Sequence, residues 1–112
     1  MELQSTTHGT YKSVTVNAER IDASVAIQFK DAMRAEADGG PGHIVLDLGR
    51  VKFIDSSGLG AIVAAMKHMG KDRRLDLAAL TPDVEKVFHL TRMDTVFTIL
   101  PKLPEPANRE AG

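Results

Sequence analysis

The chain has 112 residues, 43% of them hydrophobic, which is enough apolar material for one core and too little for two. With 14 Lys plus Arg against 15 Asp plus Glu the formal net charge is -1, which argues against a chain-wide phosphate-binding field and so against a nonspecific nucleic-acid binder. The absence of Cys excludes disulfides and thiolate zinc sites, and the 4 His are too scattered to suggest a metal cluster.

Met1 to Thr10 lacks the basic and apolar regions of a secretory leader, and no stretch approaches the ~20 apolar residues of a membrane span. A soluble, unexported, cytoplasmic chain is expected. Two alternating stretches, Glu2 to Thr7 and Tyr11 to Asn17, flank His8-Gly9 and predict a hairpin. Val25, Phe29, Ala32 and Met33 then form a helical stripe that stops at Asp38-Gly39-Gly40-Pro41-Gly42. His43 to Gly49 is dense in aliphatic and β-branched residues, as a central strand buried on both faces would be. Val51 to Ile54 reads as a short connection. Leu59, Ile62, Val63, Met66 and Met69 recur at helical spacing up to about Gly70. Leu75 to Leu80 is the next strand, and Thr81-Pro82 puts a capping hydroxyl and a first-turn proline before a third helix with Val84, Val87, Phe88 and Leu90 inward. Thr95 to Leu100 predicts a last short strand, and residues 101–112 a disordered tail. Alternation of strands and helices after a hairpin implies an α/β fold: a small mixed sheet of about four or five strands, with helices mainly on one face.

Asp55-Ser56-Ser57-Gly58-Leu59-Gly60 is the most informative segment. Two glycines in the first turn of a helix cost roughly 1 kcal/mol each relative to alanine, so something other than helix propensity placed them there, and close approach of a backbone or ligand is the usual reason. Asp55 or Ser56 can serve as the N-cap. On a wheel at about 100° per residue, with Leu59 at zero, Ser57, Ala61, Ala64 and His68 fall between roughly 140° and 200°. That outward face is small and uncharged, which suits close docking of another protein. A hydrolase elbow would need a glycine two residues before the serine, and the lone Gly58-Leu59-Gly60 lacks the third glycine of a dinucleotide loop and the Lys of a phosphate loop. Neither an enzyme nor a cofactor is expected.

The run from Ile44 to Gly60, with its Asp-Ser-Ser-Gly-Leu-Gly helix start, resembles the STAS domain of anti-sigma factor antagonists; Arg20-Ile21-Asp22 and Thr81-Pro82-Asp83-Val84 extend the likeness, with a domain over residues 1–100. The resemblance implies a switch. The unphosphorylated protein, a monomer when free, would bind an anti-sigma factor resembling histidine kinases and free a sigma factor. The same partner would use ATP to phosphorylate the second serine, here Ser57, and a PP2C-type phosphatase would reset it. Asp22, matching an acidic residue before the first helix, would lie near the partner surface with Asp55, Ser56, Gly58 and Gly60; its bland alternative is a helix N-cap. Partner specificity could depart from the family's, because Ala18-Glu19-Arg20-Ile21-Asp22 stands where a Gly-Glu-Leu-Asp pattern is common. A rival within the fold is an accessory subunit of a stressosome or an ABC lipid transporter, without a kinase cycle.

Overall fold

The structure, a computed structural model, describes residues 1–104. The hairpin forms from β1 (Leu3–Thr7) and β2 (Lys12–Val16), antiparallel with Leu3 opposite Val16. A two-residue strand β3 (Arg20–Ile21) leads into α1 (Ala26–Ala37), then β4 (His43–Asp47), a second two-residue strand β5 (Phe53–Ile54) and α2 (Ser56–Met69). β6 (Arg74–Ala78), α3 (Pro82–Leu90), a 3-10 turn over Met93–Thr95 and β7 (Ile99–Leu100) complete the described chain. The main sheet has five strands in the order β1-β2-β4-β6-β7, parallel beyond the hairpin, with β4 at its centre as its composition predicts.

The period of two divides the sheet residues between two faces. Val14, Val16, Ile44, Leu46, Leu75 and Leu77 point to one side and meet Phe29 and Met33 of α1, Ile62 of α2, and Val84 and Phe88 of α3 in the main core. On the helix-free face Tyr11, Val45 and Ala78 form a smaller cluster, against which Leu100 and Leu103 pack. That face also buries Asp76, 2% exposed, whose oxygens accept from His43 Nε2 and Arg74 Nε, each at 2.9 Å. A carboxylate can be buried there because both of its oxygens have charged or chargeable partners.

Several local expectations change. Val51 to Ile54 is not mere connection: β5 pairs in parallel with β3, Arg20 with Phe53 and Ile21 with Ile54. The Thr81 hydroxyl does not cap α3 but donates to the Val51 carbonyl at 2.7 Å, tying that helix start to the segment before β5. The predicted last strand shrinks to two residues, because 93–95 coil into the 3-10 turn that lets Phe97 reach Phe88, ring centroids 6.0 Å apart. Leu90 is 72% exposed, since Val84 and Phe88, one turn apart, already complete the inward stripe of so short a helix. Past Leu100 the described chain stays against the sheet: the Tyr11 hydroxyl donates to the Pro104 carbonyl at 2.8 Å, and Leu103 lies over the helix-free face. The remainder of the predicted tail, 105–112, lies outside the described residues.

Candidate functional site

α2 begins where β5 ends, and Asp55 is its N-cap: Oδ1 accepts from the Gly58 amide at 2.9 Å. Its other oxygen accepts from the Ala23 amide at 3.2 Å, so one carboxylate joins the start of α2 to the turn that precedes α1. Ser56 takes no part in capping; it is exposed on the first turn beside Ser57.

The two glycines have different causes. A Cβ at Gly58 would lie 2.0 Å from the carbonyl oxygen of Ile21 and 2.8 Å from its carbon, so this glycine lets β3 cross directly under the helix start. At Gly60 a Cβ would meet nothing within 4 Å. Among the described residues the fold leaves that position open. Gly60→Ala is therefore expected to keep the fold and to stabilise it by up to ~1 kcal/mol through helix propensity, as a thermal melt would show.

Ala61 corrects the wheel. It is 5% exposed, as is Ala65, and with Gly58, Ile62 and Met69 it makes a buried arc centred about 100° from the stripe of Leu59, Val63 and Met66, which are only partly buried. The reason is that α1 packs beside α2. Small residues are buried where two helices approach closely, and the larger ones end up along the margin. The outward face that survives is Ser57, Gly60 and half-buried Ala64, with His68 about one turn beyond Ala64. His68 is exposed and pairs with Asp38, beyond the end of α1, at 3.0 Å.

Ser57, Gly60, Ala61 and Ala64 form one wall of a groove whose other wall is Ala26, Ile27 and Lys30 of α1. Sequence reasoning missed this second wall. Its signal was Ile27, an apolar residue out of phase with Phe29 and Met33, and it stands 70% exposed. The groove floor is thus small and apolar, its lip carries one large aliphatic side chain, and the Ser57 hydroxyl opens onto it. Phe53, 40% exposed on β5, lies under the Arg20 guanidinium at 4.3 Å.

Asp22 is not the N-cap of α1, a position held by Val25 without any side-chain bond. Its Oδ1 accepts from the Ser24 hydroxyl at 2.6 Å and the Ser24 amide at 3.1 Å, and its Oδ2 from Arg20 Nε at 3.2 Å. The Ser24 hydroxyl first, and Arg20 next, hold its carboxyl below the usual carboxylate range. Because the folded value is the depressed one, the turn is supported above the unfolded Asp value of ~3.9 and loses that support only as pH falls through the lower folded value. A carboxyl-carbon NMR titration is expected to place the Asp22 midpoint below ~3.9, and Ser24→Ala to move it back up. Asp22, Asp55 and Ser57 are brought to one end of the molecule; His68 is not. Among the described residues no helix is long and apolar enough to cross a membrane.

Comparison with known proteins matches this arrangement to others. BtrV of Bordetella bronchiseptica, named for the anti-sigma factor antagonists, is 31% identical over 86 residues, covering 76% of this chain and 67% of that protein. A STAS-domain containing protein of Pseudomonas aeruginosa is 30% identical over 81 residues, covering 71% and 79%. The crystal structure of an anti-sigma factor antagonist from Mycobacterium paratuberculosis superposes with a TM-score of 0.82 at 28% identity, over 91% of this chain and 86% of that one. The STAS domain model matches residues 3–105, from the opening hairpin past the strap of residues 101–104, and with the fold and the helix start in agreement the chain belongs to the STAS domain family.

Proposed function

We propose that this chain is an anti-sigma factor antagonist that works by partner switching. Unphosphorylated, it docks an anti-sigma factor through the first turns of α2 and the groove beside α1, and a sigma factor is released. The anti-sigma factor, acting as a serine kinase, passes the γ-phosphoryl group of ATP to the Ser57 hydroxyl, and a PP2C-type phosphatase removes it. The observation that carries this reading is the setting of Ser57: it is exposed, it lines a groove of mostly small and apolar residues that Ser56 does not line, and its hydroxyl has no hydrogen-bond partner among the described residues. Likeness to proteins named as anti-sigma factor antagonists supports the choice of partner. A phosphate would add about -1.5 to -2 charges at a helix start whose free amides tolerate it, so the fold survives while the small, uncharged contact face of α2 does not.

Incubation with candidate anti-sigma kinases and ATP, followed by mass spectrometry, is expected to find a single phosphate on Ser57. Ser57→Ala should abolish it with the fold intact, and Ser56→Ala should retain most of the labelling. A phosphate mapped to Ser56 or Thr81 would sink the assignment.

A further inference from the structure

Among the described residues, Lys30 is the one charged residue that lines the groove Ser57 opens onto. It enters no ion pair or hydrogen bond among the described residues, whereas Lys12 on β2 is held by Glu36 at 2.8 Å. The two helices run side by side in the same direction: Ala23, just before α1, bonds the cap of α2, and Asp38, just after α1, bonds His68 near the other end. Side chains on a helix lean toward its N-terminus, so the stem of Lys30 lies back over the turn of Ala26 and Ile27, toward the level of Ser57.

The other charges at this end are already engaged. Asp55 accepts from two backbone amides, Asp22 from Ser24 and Arg20, and Arg20 also stacks on Phe53. The groove residues of α2 contribute no titratable group. A dianion on Ser57 would therefore have carboxylates on its strand side, at Asp55 and Asp22, and one uncommitted cation on its groove side.

We propose that Lys30 is the intramolecular partner of a phosphate on Ser57, drawing it across the groove between α1 and α2. This rests on the reading of Ser57 as the phosphoacceptor and adds how the modified state is held. The phosphate then acts as a plug: paired with Lys30, it covers the apolar floor at Ala61 and Ala64 that an incoming protein would need. The switch works by occupying its own docking groove as well as by adding charge.

The test uses the full chain with phosphoserine installed at position 57 during translation, so no kinase is required. The apparent second pKa of the phosphate is read by phosphorus NMR across pH, with circular dichroism to confirm folding. Pairing with an ammonium favours the dianion, so the wild-type value is expected to lie below the usual ~6. Lys30→Gln should raise it by ~0.5 unit or more, and Lys30→Arg should hold it down. Identical midpoints in the wild type and Lys30→Gln would overturn the pairing. A lysine-dependent midpoint in a chain whose unmodified form no anti-sigma kinase labels would leave the pairing standing and remove the kinase reading instead.

Discussion

Gly58→Ala is expected to cost about 3 kcal/mol or more, seen as a fall of over ~10 °C in the thermal midpoint. The added methyl would lie 2.0 Å from the Ile21 carbonyl oxygen, and neither side can yield cheaply. Ile21 is fully buried and paired with Ile54, while the start of α2 is fixed by the Asp55 cap. Overpacking against backbone leaves only displacement of one element, whereas overpacking against a flexible side chain can be absorbed by a rotamer change. The control is Gly60→Ala in the same turn, where the added methyl meets only solvent. A Gly58→Ala protein melting at the wild-type temperature would mean that the crossing of β3 under α2 is looser than this geometry.

Glutamate placed at two alanines three residues apart is expected to act in two different ways. At Ala61, wedged between α1 and α2, it should cost about 2 kcal/mol of stability by forcing the helices apart and bringing a carboxylate against apolar neighbours. At half-buried Ala64 it should change stability by less than ~0.5 kcal/mol. Affinity for the anti-sigma partner should nevertheless fall at least tenfold in Ala64→Glu, about 1.4 kcal/mol, because the charge must be desolvated or holds the partner away. Denaturant unfolding and calorimetry separate the two effects. Full affinity in a folded Ala64→Glu chain would move the docking surface elsewhere.

The contrast between these alanines also shows where the sequence could be read and where it could not. The central strand was legible because burial on both faces leaves a continuous aliphatic run, with Ile44 and Leu46 on one side and Val45 on the other. The helix start was legible because Asp55-Ser56-Ser57-Gly58 joins a cap to a glycine that propensity alone disfavours. The face of α2 was misread by taking its largest apolar side chains as the centre of the core. A wheel assumes one neighbour, and α2 has more, the sheet, α1 and β3; three of its five buried residues are Gly58, Ala61 and Ala65, which carry little hydrophobic weight. The strap over the helix-free face was illegible for a different reason: a single Tyr11 hydroxyl bonding a carbonyl 93 residues later leaves no periodic trace.

The pairing of β3 with β5 is only two residues long, yet it determines how this end of the molecule opens. The Lys52 and Phe53 amides bond the Glu19 carbonyl, the Asp55 amide bonds that of Ile21, and the Asp55 carboxylate spans Ala23 and Gly58. Residues 19 to 23 and 52 to 58 are thereby spliced into one cooperative unit, although almost thirty residues of helix and central strand separate them in the chain. Their amide protons should exchange with solvent together, at one opening free energy, and a denaturant series should not resolve the turn of Asp22 from the helix start of Ser57. A perturbation delivered to either loop arrives at the other without crossing the core.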